Sequence, residues 1–158
     1  TWIAFNIGDA RVYLLREGML SQITRDHSRV QILVETGELT PEQARSDPRR
    51  NVVTRALGGG IADSAVPDLY SVPVAAGDRL LVCSDGLSDE LDDEAIATVL
   101  AAGYTVQRTA ELLVAASLEG GGHDNTTAVV VDATEVPTSA PDAVHGEGRG
   151  EIVAEGAQ

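Results

Sequence analysis

The sequence predicts an α+β fold in which antiparallel strands are interrupted by helical stretches. Short runs rich in valine, isoleucine, leucine and aromatic residues, separated by glycine turns, predict the strands. Between these runs lie segments whose apolar residues recur at helical spacing and are bounded by capping residues. The 158 residues, 43% of them apolar, are enough for a domain with its own core.

The chain opens with strands. Residues 2–7 and 11–15 are two β-type runs, and we interpret Gly8-Asp9-Ala10 between them as a tight hairpin connection. Glu17-Gly18 marks a second turn before a third short strand at residues 19–24. Together these runs predict an antiparallel meander.

A helical insertion is predicted at residues 28–47. Its first helix carries apolar residues at helical spacing, and Gly37 occupies the position of a C-terminal cap. Thr40-Pro41-Glu42-Gln43 supplies the N-cap, first-turn proline and capping-box partner of a second helix, which Pro48 ends.

Three further strands, two helices and a last strand follow along the chain. We predict strands at 52–57, 69–74 and 79–84, helices at 93–102 and 106–118, and a last strand at 126–131. From residue 133 the periodicity disappears and acidic residues outnumber arginine. Residues 133–158 are therefore predicted to be a flexible acidic tail.

Composition argues against several classes of protein. The net charge of −14 would repel the phosphates of a nucleic acid. No apolar stretch approaches the roughly 20 residues of a membrane helix. Cys83 is the single cysteine, which excludes an intrachain disulfide and a cysteine-built zinc site, and its apolar neighbours predict a buried, inert thiol. We expect a cytoplasmic, monomeric protein.

Three aspartates stand beside glycine or asparagine at predicted strand ends: Asp9, Asp85 and Asp124. If the strands at 79–84 and 126–131 are antiparallel neighbours, Asp85 and Asp124 lie at one sheet edge, and Asp9 can join them. Clustered carboxylates repel one another unless a cation is present, and oxygen ligands suit Mg²⁺ or Mn²⁺. Taken singly, such an aspartate is also ordinary turn chemistry, and for Asp9 and Asp124 both interpretations stay open. Asp85 differs, because Asp85-Gly86 ends a hydrophobic strand without starting another.

Other polar residues admit two interpretations each. His27 is either an acid/base or a structural hydrogen-bonding residue, and we favour the structural role. Arg49, Arg50 and Arg55 form a local basic cluster in an acidic chain. They either pair with neighbouring carboxylates or face a phosphate or substrate.

Five motifs occur in a fixed order along residues 1–132. They are Gly8-Asp9-Ala10-Arg11, Thr24-Arg25-Asp26-His27-Ser28, the segments 50–58 and 77–87, and Gly122-His123-Asp124-Asn125. This series resembles the PPM (PP2C-type) metal-dependent serine/threonine protein phosphatases, particularly their bacterial branch. The resemblance implies an α-β-β-α sandwich of two antiparallel sheets flanked by helices, with a metal centre at one edge. Residues 28–50 match the family's mobile helical flap beside the active site.

The resemblance also implies roles for individual residues. Asp85 and Asp124 match two core metal-ligand aspartates, and Asp9 matches the aspartate that joins Asp85 in holding a third, weaker metal. Two Mn²⁺ or Mg²⁺ ions would activate water for attack on phosphoserine or phosphothreonine in protein substrates. Beyond the ligands no catalytic residue is identified; the supporting residues are Gly86, Asn125 and His27, and the substrate or phosphate contact is Arg55.

The likeness covers part of the family domain. The family's first half carries a phosphate-binding arginine and an Asp-Gly motif whose aspartate bridges both metals, and neither motif precedes Thr1. We therefore expect the C-terminal portion of a catalytic domain, weakly active or inactive by itself. Ala10 stands where the family usually has serine, a small difference. Two alternatives stay open: a non-catalytic regulatory or protein-binding module of this fold, and a phosphatase for one dedicated regulator.

Overall fold

The computed structural model describes residues 1–58 and 66–135. Within them the chain forms two antiparallel sheets and several helices, which confirms the predicted α+β class. Residues 136–158 of the predicted tail lie outside the described residues. In chain order the elements are β1 (Trp2–Asn6), β2 (Arg11–Arg16), β3 (Met19–Gln22), α1 (Arg29–Glu35), α2 (Pro41–Ser46), β4 (Asp68–Val72), β5 (Arg79–Cys83), α3 (Asp85–Ser88), α4 (Asp93–Ala101), α5 (Val106–Gly120) and β6 (Ala128–Asp132).

The connection between β1 and β2 is not a hairpin, contrary to the prediction. β1 pairs with β4, whereas β2 lies between β3 and β5, so the chain crosses between sheets at Gly8-Asp9-Ala10. Gly8 adopts a φ of +107°, which favours glycine. Its N–H donates to Nδ1 of His27 at 3.1 Å, and its carbonyl accepts from the His27 N–H at 2.9 Å. These bonds fasten the connection to His27, which follows β3 in the chain.

The predicted strand at residues 52–57 is also wrong. Val53 forms one isolated bridge with Ser28, and the chain then leaves extended pairing. Val52 and Val53 are 49% and 40% exposed, so their β-branched side chains gain little from burial. This segment instead fastens the start of the helical insertion to the body of the protein.

Helix caps follow the sequence closely. The Ser28 side chain caps α1, and Thr40 and Gln43 form the predicted capping box of α2. Thr105 caps α5. The one-turn helix α3, directly after β5, was not predicted.

The core lies mainly between the four-stranded sheet and helices α4 and α5. Tyr13, Leu81 and Leu113 are fully buried there. The opposite face of the sheet packs Val12, Leu14 and Leu80 against partly buried residues that include Trp2 and Val72 of the two-stranded sheet. The described layers are therefore helix, sheet and sheet. On the outer side of the two-stranded sheet the apolar residues Ile3, Phe5 and Leu69 are exposed.

Candidate active site

The two strands that carry Asp85 and Asp124 are neighbours, as their convergence requires. β5 and β6 pair antiparallel up to Cys83 opposite Ala128. Beyond this pair, the Ser84 N–H donates to the Thr127 carbonyl at 3.2 Å, and the Ser84 hydroxyl donates to the Asn125 carbonyl at 3.1 Å. The end of one strand is thus bonded to the approach of the other.

Gly86 allows this close approach. A Cβ at this position would lie 2.5 Å from the Asn125 carbonyl oxygen, closer than atoms can pack. The Gly86 carbonyl accepts hydrogen bonds from Ser117 at 2.9 Å and Thr126 at 3.2 Å. The first turn of α3, which begins with Asp85, is therefore held directly against residues 124–127.

Asp124 is exposed and accepts a hydrogen bond from the Asn125 N–H at 2.6 Å. The preceding His123 is anchored to Glu90, with 2.7 Å between Nδ1 and Oε1. Hydrogen bonds from His123 lower the pKa of Glu90. Asp124 does not line the cavity that contains the other two predicted metal ligands.

Asp9 and Asp85 line one cavity of about 570 Å³, which lies between the helical pair α1–α2 and helix α3. Asp26 and Asp89 line it as well. Burial and then the negative charge of Asp85 raise the pKa of Asp9. The same two causes raise the pKa of Asp89. The cavity therefore concentrates carboxylates that repel one another.

His27 holds the Asp9 loop in place. Its ring is buried; Nδ1 accepts from the Gly8 N–H, and Nε2 lies 3.0 Å from Oδ2 of Asp68 at the start of β4. Arg55 donates to the other oxygen of Asp68 at 2.6 Å. Burial opposes ionisation of Asp68, but the bonds from His27 and Arg55 outweigh it and lower its pKa. His27 therefore links both sheets beside the predicted ligand.

The basic residues divide between ion pairs and the cavity. Arg55, the predicted substrate or phosphate contact, is paired with Asp68 and does not line the cavity. Arg49 is paired with Asp47 at 2.7 Å. Arg45 and Arg50 do line the cavity. Sequence reasoning grouped Arg49, Arg50 and Arg55 by their proximity along the chain, which does not reveal the direction of each side chain.

A partly buried ion pair between Arg11 and Asp26, which line the same cavity, was missed by sequence reasoning. Arg11 donates to Asp26 through Nε at 3.0 Å and NH2 at 2.6 Å, and its NH1 lies 3.0 Å from the Tyr13 hydroxyl. Burial opposes the charge on Arg11, but the bonds to Asp26 prevail and raise its pKa. Both residues lie within the motifs at 8–11 and 24–28, yet their pairing depends on β2 lying beside the chain that follows β3. Cys83 is buried, which raises its pKa to about 12, as expected for an inert thiol.

The donor chemistry of the cavity suits a hard divalent cation. Asp9 and Asp85 present carboxylate oxygens to one space, and a bound cation would relieve the repulsion between them. Across residues 1–58 and 66–135, no group of three or more histidine, cysteine, aspartate or glutamate side chains is arranged to hold a metal ion. In the same residues, no helix has both the length and the apolar character needed to cross a membrane.

Comparisons with known proteins give a consistent result. No protein-family model matches the chain. The serine/threonine protein phosphatase PstP of Mycobacterium tuberculosis is 47% identical over 130 residues, which are 82% of this chain and 24% of that protein. The serine/threonine phosphatase stp of Listeria monocytogenes is 37% identical over 127 residues, 80% of this chain and 50% of that protein. The chain thus spans half or less of the length of these curated relatives.

Solved structures of related phosphatases superpose well on the described fold. The Mycobacterium tuberculosis phosphatase PstP/Ppp gives a TM-score of 0.78 at 46% identity, with 84% of this chain and 55% of that chain covered. The PPM phosphatase MsPP of Mycobacterium smegmatis, in complex with cacodylate, gives 0.73 at 41% identity, covering 82% and 55%. The catalytic domain of PstP, in complex with two manganese ions, gives 0.74 at 44% identity, covering 84% and 54%. The chain belongs to the PPM family of bacterial serine/threonine protein phosphatases and corresponds to part of the family's domain.

Proposed function

We propose that this chain is part of a metal-dependent phosphatase that hydrolyses phosphoserine and phosphothreonine in proteins. One observation carries the proposal: Asp9 and Asp85, from separate family motifs, line a single cavity, and burial and mutual repulsion raise the pKa of Asp9. Two carboxylates that repel one another in one cavity favour a bound cation, because its positive charge offsets the repulsion. The PPM membership of the chain makes phosphomonoester hydrolysis the reaction that this arrangement serves.

Mn²⁺ or Mg²⁺ is the proposed cofactor, as two catalytic ions and a third, weaker one. Asp85 and Asp124 would hold the catalytic ions, and Asp9 with Asp85 the third. A divalent ion, when bound, would lower the pKa of its coordinated water and offset the charge of the phosphoryl oxygens. The manganese ions in the PstP catalytic domain support this choice for a relative.

The residues of this chain would position the ligands. His27 fixes Gly8 through two hydrogen bonds and thereby orients Asp9. The contact between Gly86 and Asn125 keeps Asp85 next to the segment that carries Asp124. Helices α1 and α2 form the wall of the cavity opposite α3.

The remaining ligands are proposed to come from the part of the family domain that this chain does not span. The chain covers 24% and 50% of two curated relatives, which supports that division. We therefore expect the 158 residues alone to be weakly active or inactive. The class of phosphoprotein substrates, the monomeric state and the cytoplasmic location stay predictions.

The decisive experiment measures hydrolysis of p-nitrophenyl phosphate by the complete domain. We expect activity with Mn²⁺, its loss in EDTA, and a loss of at least about 100-fold in Asp85→Asn, because a metal ligand is removed. Glu111→Gln is the matched control, since this exposed residue of α5 is remote from the cavity and its substitution should leave activity unchanged.

Several outcomes would contradict the proposal or one of its parts. Equal activity in EDTA, or full activity in Asp85→Asn, would exclude metal-dependent catalysis at this site. A folded domain without hydrolysis would favour the regulatory module instead. Robust metal-dependent turnover by the 158 residues alone would refute the proposed division of ligands.

A further inference from the structure

Helix α2 is an exposed wall of the cavity with few attachments. None of its residues is buried. At its start the helical insertion is fastened by backbone bonds: Arg29 donates to Val52 at 2.8 Å and Thr54 donates to His27 at 2.7 Å. Those bonds lie at the base of α1, so they do not fix the position of α2, which lies farther along the chain.

Arg45 provides the connection between α2 and the opposite wall. Its NH2 group donates to the carbonyls of Leu91 at 3.2 Å and Ser88 at 3.4 Å. Within the part of the chain that the structure describes, these are the hydrogen bonds that join α2 to residues outside the insertion. The capping bonds of Thr40 and Gln43 remain inside it.

The acceptors of Arg45 are suited to a guanidinium. Ser88 ends α3, where a helix leaves carbonyl acceptors without internal partners, and Leu91 lies in the connection between α3 and the N-cap of α4. A cation at the C-terminal end of a helix is also favoured electrostatically. Arg45 is therefore bound to the same short element that begins with the predicted ligand Asp85.

Arg49, four residues after Arg45, provides a comparison for the hydrogen bonds of Arg45. Arg49 is exposed and donates to Asp47 within its own loop, at 2.8 Å from Nε and 2.7 Å from NH2. It makes no hydrogen bond to α3 in the described residues. The two arginines thus lie close together in the sequence, but only Arg45 connects its own segment to α3.

We infer that Arg45 is a positioning residue that fixes α2 against α3 and so sets the wall along which a phosphopeptide binds. The identity of the substrate rests on the proposed function, whereas the attachment of α2 does not. Arg45 acts on the residues flanking the phosphorylated side chain, because α2 lines the cavity through Pro41, Glu42 and Ala44 and supplies no predicted metal ligand.

Hydrogen exchange tests the attachment without reference to activity. In the complete domain, Arg45→Ala should accelerate exchange at residues 44–47 by about fivefold, the effect of losing a typical hydrogen bond. Exchange in α4 and α5 should not change, and Arg49→Ala should resemble the wild type. Unprotected amides in the wild type, or equal exchange in all three proteins, would overturn the inference.

Kinetics test the consequence for substrates. Arg45→Ala should raise the KM of a phosphopeptide by about three- to tenfold and should reduce p-nitrophenyl phosphate hydrolysis less, because the small ester lacks the flanking residues that α2 would contact. Arg45→Lys should restore part of the difference, since an ammonium still donates to carbonyls. Equal losses for both substrates would contradict the inference. An inactive wild-type domain would refute the proposed function. Hydrogen exchange would then still test whether Arg45 attaches α2 to α3.

Discussion

At the residue scale, Gly86 is the position where the candidate site tolerates least change. A Cβ would lie 2.5 Å from the Asn125 carbonyl oxygen, so Gly86→Ala must push α3 away from residues 124–127. We expect a loss of about 1–3 kcal/mol in the free energy of unfolding. We also expect Mn²⁺ affinity to fall by at least about tenfold, because Asp85 and Asp124 are separated.

Calorimetric titration of the complete domain with Mn²⁺ measures this effect. Gly120→Ala is the control, because a Cβ there meets its neighbours at 3.4 Å or more. Unchanged Mn²⁺ affinity in Gly86→Ala would show that the close contact does not position the ligands.

Individual residues differ in how far the sequence alone reveals them. Asp85 and Gly86 were identified because a hydrophobic strand ends directly before them, a local signal. The pairing of Arg11 with Asp26 and the bond of Arg45 to α3 join residues distant in the chain. Such contacts depend on side-chain direction after folding, which spacing does not encode.

At the element scale, helix boundaries were predicted well, whereas the partner of β1 was not. The caps at Ser28, Thr40 and Thr105 act within a few residues, so their signals are complete in the sequence. β1 instead pairs with β4, more than 60 residues away, and no local pattern distinguishes this partner from β2. The extended appearance of residues 52–57 likewise reflects side-chain type without the burial that makes a strand stable.

Asp78 joins the elements of the two sheets and supports a prediction about acid stability. Its buried carboxylate accepts from Trp2 of β1 at 3.0 Å and from Arg16 of β2 at 2.7 Å, and Arg16 above all lowers its pKa. Asp78→Asn should therefore reduce the free energy of unfolding at pH 7 by about 2–4 kcal/mol.

The sign of the pH dependence follows from the lowered pKa. The folded protein binds a proton at Asp78 less readily than the unfolded chain, in which the pKa of this carboxyl is about 3.9. The stabilisation by Asp78 is therefore full above about pH 3.9 and disappears as the pH falls further. Urea unfolding at pH 7 and pH 2.5 should show the cost of Asp78→Asn shrinking in acid. Glu111→Gln, in an exposed pair, is the comparison. A cost independent of pH would contradict the assignment.

At the scale of the whole molecule, the described layers leave apolar surface without cover. Ile3, Phe5 and Leu69 are each more than 70% exposed on the outer side of the two-stranded sheet. Val82 and Val129 are 42% and 52% exposed on the inner face of the four-stranded sheet. Apolar residues in register on two sheet faces are typical of surfaces that pack against further structure. The resemblance to an α-β-β-α sandwich predicts the outer helical layer, and the chain's share of its relatives is consistent with that layer lying in the remainder of the domain.

Phe5→Ser tests this view, because it should destabilise the complete domain and should reduce the exposed apolar surface of the 158-residue chain. In the complete domain, Phe5→Ser should reduce the free energy of unfolding by about 2 kcal/mol or more, the loss of a buried aromatic side chain. In the 158-residue chain the same change should lower the binding of an apolar dye and raise solubility, since Phe5 is 72% exposed there. Leu118→Ser, at an exposed site on α5, should have little effect on the stability of either protein. If Phe5→Ser left the stability of the complete domain unchanged, the outer face of β1 and β4 would be a solvent-exposed surface of the enzyme.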